Sequence, residues 1–84
     1  MNYPTAVWVE GTVVSAEIPD LPGVITEADS FEALEQAVIE AATAWMECER
    51  RDGRAIPLPT SIENHVSAEC YRDCTWILVD IDNT

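Results

Sequence analysis

No lysine occurs anywhere in the chain, and four arginines stand against sixteen aspartates and glutamates. The formal net charge is −12 at pH 7. Nucleic-acid binding needs cationic groups that displace counterions, so this composition speaks against direct DNA or RNA contact. No run of about eighteen apolar residues is present, which leaves no membrane-spanning segment. The N-terminus has no basic stretch followed by an apolar one, so a secretory signal is missing too. Cysteines number three, an odd count that suits a reducing compartment better than a disulfide framework, and a cytoplasmic location is expected. Histidine occurs once, which leaves little material for nucleophile–base chemistry.

What is present is apolar. Hydrophobic residues make up 48% of the 84 positions, with three tryptophans, and that much apolar surface argues for a folded chain. Eighty-four residues make one domain, spanning 1–84, and a core this small buries only about 60–65% of the unfolded surface. The one-sided charge favours a basic protein partner, because opposite fields speed encounter.

Tyr3 to Glu10 reads as a strand, Gly11 as a turn and Thr12 to Ile18 as a second strand, together a hairpin. Pro19-Asp20-Leu21-Pro22-Gly23 breaks the ladder, since neither proline has an amide donor, and Val24 to Glu27 suits a short third strand. A helix is expected from about Ser30 to Arg51, capped by Asp29 or Ser30, with Asp29 and Glu32 spaced as a capping box. At 100° per residue, Leu34, Val38, Ala41 and Trp45 form its buried stripe, with Phe31, Ala42 and Cys48 at the edges. Ile39 and Met46 fall between the faces. Arg50 and Arg51 suit the negative helix end, and Asp52-Gly53 stops it. Ala55 to Ser61 reads as an extended crossing, and Ile62 to Tyr71 as a short second helix. Thr75 to Asp82 closes the chain as a strand, with Ile77, Val79 and Ile81 on one face and Trp76, Leu78, Asp80 and Asp82 on the other. This order predicts an α+β fold in which an antiparallel sheet carries the long helix on one face.

Three chemistries can be weighed on these residues. His65, Cys70, Cys74 and Cys48 are four potential zinc ligands, but His-x4-Cys-x3-Cys lacks the tight Cys-x2-Cys knuckle, so buried or surface cysteines are the simpler reading. Asp80 and Asp82 share a strand face, as the carboxylates of two-metal nucleases do, yet the cations that hold a nucleic-acid backbone are missing. Neither metal, cofactor nor catalysis is expected. The third is protein binding, for which Glu10, Asp20, Asp80 and Asp82 are the carboxylates expected to be exposed.

Several segments taken together resemble the HicB antitoxin family. They are Tyr3-Pro4, the run Ile18-Pro19-Asp20-Leu21-Pro22-Gly23-Val24-Ile25-Thr26, and the helix entry Ala28-Asp29-Ser30-Phe31-Glu32. Asp52-Gly53-Arg54-Ala55-Ile56-Pro57-Leu58-Pro59-Thr60-Ser61 resembles the family's linker, and Tyr71 with Trp76 to Asp82 its closing strand. The likeness spans nearly the whole chain. It implies a partial ribonuclease-H-like fold, a three-stranded antiparallel meander with the last strand beside the first and the long helix and a short one packed on one face. It also implies no catalysis, but binding and neutralisation of a small basic HicA toxin, an mRNA endoribonuclease, by masking its RNA-binding and catalytic surface. Homodimers or larger homo-oligomers are implied as well, in keeping with sheet edges that pairing would satisfy. The alternative is an acidic protein-binding module for another basic partner, without ribonuclease inhibition. Two departures stand out. Val14 occupies a position where the family often has an aromatic, and the ribbon-helix-helix or helix-turn-helix DNA-binding domain of many members has no counterpart among residues 1–84.

Overall fold

The hairpin expected at the N-terminus forms between β1 (Asn2–Glu10) and β2 (Val13–Glu17), and Glu10 pairs with Val13 across a two-residue turn. Gly11 takes the first corner at φ 60°, the position that a type II′ turn reserves for glycine. The computed structural model describes residues 1–82. Four strands make one sheet in the order β3-β2-β1-β4, with β3 at Ile25–Ala28, β4 at Thr75–Asp80 and every pairing antiparallel. The last strand therefore lies beside the first, as the resemblance implies, and the fold is α+β.

Pro4 sits in a central strand without breaking it. Pairing of β1 with β2 begins only at Ala6, opposite Glu17, so the amide that Pro4 lacks would face a neighbour that has already ended. Past that point Pro19 turns the chain into a loop held by three backbone bonds: Ile18 N–H to Val24 O, Leu21 N–H to Ile18 O and Val24 N–H to Leu21 O, at 3.1, 3.1 and 3.0 Å. Leu21 is fully buried by this turn, and Gly23 adopts φ 102° with Trp45 lying over it.

Helix α1 (Phe31–Arg51) starts at Ser30, whose extended backbone lets its Oγ accept the Ala33 N–H at 3.2 Å. The capping box expected of Asp29 and Glu32 does not form, because Ser30 takes the cap and puts Ala33 at the third helical position. At the far end Asp52 and Gly53 donate their N–H groups to Cys48 O and Arg50 O, both at 3.1 Å, and Gly53 takes φ 77°.

The core is one cluster between α1 and the near face of the sheet: Tyr3, Val7, Val14, Ala16, Val79 and Ile81, with Ile18, Leu21 and Val24 closing one end. From α1 it takes Leu34, Val38, Ala42 and Met46. The buried stripe thus steps strictly by four, and the straight stripe through Ala41 and Trp45 needs correction. Each four-residue step turns about 40° round the helix, and such a ridge runs inclined to the axis, which suits a twisted sheet. Met46 becomes fully buried, Ala41 and Trp45 are half-buried, and Phe31 and Cys48 are exposed.

The second helix expected over 62–71 is instead two single 3₁₀ turns, Ile62–Asn64 and Glu69–Tyr71. Neither has a side-chain cap, and neither buries a residue completely, so nothing there offsets the cost of nucleating an α-helix. Both turns belong to the segment that crosses the face of the sheet opposite α1. The third strand runs one residue later than expected, and the last ends at Asp80 instead of Asp82.

Candidate functional site

Strand alternation puts Ala6, Trp8, Glu17 and Trp76 on the sheet face away from α1, since Ala6 pairs with both Glu17 and Trp76. The residues after α1 are tied down before they reach this face. Tyr3 donates its hydroxyl to Pro57 O at 2.8 Å, and Asp20 accepts the Thr60 N–H and Oγ1–H, each at 2.8 Å. His65 then stacks on Trp76 with ring centroids 5.9 Å apart, and Tyr71 meets Trp76 edge-on at 5.4 Å and stacks on Trp8 at 6.2 Å. Tyr71 donates its hydroxyl to Glu17 Oε2. Burial first, and the adjacent Glu17 carboxylate second, hold the Tyr71 phenol well above its ordinary pKa. The same covering segment raises the Cys74 thiol, through burial.

Asp20, Thr60 and His65 look at first like parts of a hydrolytic triad. Thr60 Oγ1 lies 2.9 Å from His65 Nε2 and 2.8 Å from Asp20 Oδ1, while Asp20 Oδ1 is 3.2 Å from the same Nε2. In a triad the carboxylate orients the imidazole through Nδ1 and leaves Nε2 to the hydroxyl. Here both partners compete for one nitrogen and the hydroxyl proton already goes to Asp20, so the arrangement is a clasp between two loops. The described residues enclose no cavity for a small molecule. Nor do they hold three metal-ligating side chains together. Of the four residues weighed for zinc, Cys48 lies exposed on α1, on the other side of the sheet from His65 and Cys70.

The four carboxylates expected to meet a partner do not converge. Glu10 is exposed at the hairpin end of β1. Asp80, opposite Asn2 at the other end, accepts the N-terminal ammonium at 2.8 Å with its side chain 79% exposed. Eight strand steps separate these ends, about 26 Å. Asp82 is exposed just past β4, beside Asp80. Asp20 is the outlier, only 7% exposed because the Thr60 clasp encloses it. What the residues could not disclose was the aromatic layer of Trp8, His65, Tyr71 and Trp76. Its signal was an outward-facing aromatic in each of two strands, but their adjacency depends on register.

Exposed acids occur on the strands, on the helix and on the segment beyond it. Along α1, Glu32, Glu35, Glu40 and Glu47 face solvent. Two of the four arginines are occupied locally: Arg54 by Glu49 at 2.6 Å and Asp52 at 2.9 Å, Arg72 by Glu69 at 3.2 Å. No helix among the described residues is long and apolar enough to cross a membrane. Among the described residues the arrangement offers no ligand cavity, but an anionic exterior around a four-stranded sheet.

Comparison with known proteins agrees with that character. A family model described as the HicB-like antitoxin of bacterial toxin–antitoxin systems matches residues 3–84. Among solved structures, the N-terminal domain of the Burkholderia pseudomallei antitoxin HicB superposes with a TM-score of 0.82 at 24% identity, covering 98% of this chain and 99% of that one. A chain of a HicA3 and HicB3 toxin–antitoxin complex superposes at 0.83 with 19% identity, covering 98% and 99%. The longer Burkholderia pseudomallei HicB matches at 0.82 and 26% identity, and there the alignment spans 98% of this chain but 64% of that one. No curated protein matches the sequence. With the family model matched from Tyr3 to the last residue, the chain belongs to the HicB-like antitoxin family of bacterial toxin–antitoxin systems.

Proposed function

We propose that this chain binds and neutralises a small basic HicA-type endoribonuclease by covering its RNA-binding and catalytic surface. The observation that carries the reading is the family match over residues 3–84. The fold shared with a chain of the HicA3 and HicB3 complex supports it. So does the charge of −12, because a ribonuclease that grips mRNA must present cations, and an anionic surface competes for them. The chain itself acts without catalysis, cofactor or metal, in the cytoplasm, where its target cuts mRNA.

The test mixes the purified chain with the basic toxin encoded beside it and follows cleavage of a test RNA. Cleavage falls in proportion to added chain and stops at a fixed stoichiometry, with co-elution on a sizing column. Co-elution without loss of cleavage would leave an acidic binding module that does not mask the active surface. Unchanged cleavage without co-elution would refute the pairing. Charge reversal at Glu10, Asp80 and Asp82 is expected to slow association with the toxin. Reversal at Asp20 also opens the Thr60 clasp, so its effect must be read beside the melting temperature.

A further inference from the structure

The segment that covers the outer sheet face leaves part of it bare. Tyr71 reaches Trp8 and Glu17, on β1 and β2. Beyond that cover the register sets out three cross-strand rows on the face away from α1: Glu10 beside Val13, Glu27 beside Ser15, and Ile25 beside Glu17. Ile25 is 65% exposed and Val13 36%, and both Glu10 and Glu27 face solvent. Glu27 lies between the two apolar side chains, two residues along the strand from Ile25 and diagonal to Val13. Two strand spacings across and two residues along put Glu10 and Glu27 about 12 Å apart.

These two carboxylates differ from most others near the sheet. Among the described residues neither has an ion pair or a side-chain hydrogen bond. Glu17 is taken by Tyr71, Asp20 by Thr60, and Asp80 by the N-terminal ammonium. On α1, Glu40 and Glu47 are also exposed and, seven residues apart, have a similar spacing of about 11 Å. Between them, however, lie Thr43 and Ala44, which give a long cationic side chain little apolar surface for its stem.

Resting on the antitoxin reading, we infer that the bare outer face of β2 and β3 is where the basic toxin docks. Glu10 and Glu27 receive two cationic side chains of the toxin, whose aliphatic stems lie over Val13 and Ile25. The charge of −12 as a whole brings the partner in, and this patch holds it, because only here do unpartnered carboxylates and exposed apolar side chains alternate on the strands of the sheet. Glu27, and not Asp20, Asp80 or Asp82, is therefore the carboxylate that acts with Glu10.

Stopped-flow association of the full chain with the basic toxin encoded beside it, and dissociation into excess unlabelled chain, separate local contact from distant charge. Glu10→Arg with Glu27→Arg is set against Glu40→Arg with Glu47→Arg, since each pair raises the net charge of −12 by the same four units. Both pairs are expected to slow association alike. The sheet pair is expected to speed dissociation by about tenfold or more, and the helix pair by less than about twofold. Ile25→Ser changes no charge and is expected to speed dissociation by about threefold or more. Circular dichroism and melting temperature report whether each variant is folded. Should the sheet pair fail to fold, Glu10→Gln with Glu27→Gln, compared with Glu40→Gln and Glu47→Gln, makes the same distinction. Equal dissociation from the sheet and helix pairs, with a wild type that binds and inhibits the toxin, overturns the docking face and leaves the antitoxin reading standing. A wild type that does not bind the toxin overturns both.

Discussion

Tyr71 and Asp20 illustrate how single side chains hold the outer layer on the sheet. Tyr71→Phe leaves the half-buried Glu17 carboxylate without its donor, a loss of about 1–2 kcal/mol. The proton on Tyr71 is held more tightly in the fold than in the unfolded chain, because its pKa is raised. Its stabilising contribution is therefore complete below about pH 10 and disappears as pH climbs through the raised folded value. Urea midpoints taken from about pH 8 to about pH 11 should fall more steeply for the wild type than for Tyr71→Phe, the difference isolating this phenol from other alkaline titrations. Asp20→Ala strands the Thr60 N–H and hydroxyl together, at a cost of about 1–3 kcal/mol, measurable by denaturant titration. Thiol labelling offers a third check at this scale. Cys48 and Cys70 are exposed and should react with a disulfide reagent well before Cys74, whose thiolate is disfavoured by burial.

Among the elements, α1 contributes most to the core. Leu34→Ala removes a fully buried side chain at the sheet interface and should cost about 2–5 kcal/mol, a large part of the stability of so small a domain. Phe31→Ala, one turn earlier and 53% exposed, should change the urea midpoint little, whereas Ser30→Ala loses the cap and about 1 kcal/mol. Strands β1 and β2 and the bounds of α1 were readable because period, turn residue and cap coincide there. Which helix residues are deepest was not. A helical wheel assumes a straight stripe, and the observed ridge from Leu34 to Met46 drifts because the sheet beneath it twists. The segment 62–71 misled for another reason. Its spacing permits a helix, but its side chains serve the sheet instead, with His65 and Tyr71 reaching Trp76.

For the whole molecule, charge is the property through which association with the toxin can be tested. Association with a basic toxin should be fast at low salt and slow by about tenfold or more when ionic strength is raised from about 50 mM to about 500 mM, with dissociation changing less. Stopped-flow measurement of both rates checks this, and salt-independent association would mean that apolar contact governs encounter. The fold class and the family were legible because ordered motifs along nearly the whole chain resemble one family. The binding surface was not. Of its four expected carboxylates only Asp80 and Asp82 are neighbours, Glu10 and Asp20 lie apart from them, and exposure judged residue by residue cannot foresee that Thr60 encloses Asp20.

The pairing of the first strand with the last has a bearing on synthesis. The N-terminal ammonium and Asp80, 79 positions apart, meet at one end of the sheet. During translation β1 and β2 emerge first, but one side of β1 has no partner until β4 has left the ribosome. The ladder that joins the two ends is therefore among the last to close, and closing so long a loop slows folding. Until then the apolar residues of β1 that face α1 lack part of their cover, and the nascent chain is open to proteases and to mispairing. The antitoxin becomes competent as a unit only when its final strand is free, so a ribosome stalled even a few codons short of Ile81 leaves it unfinished.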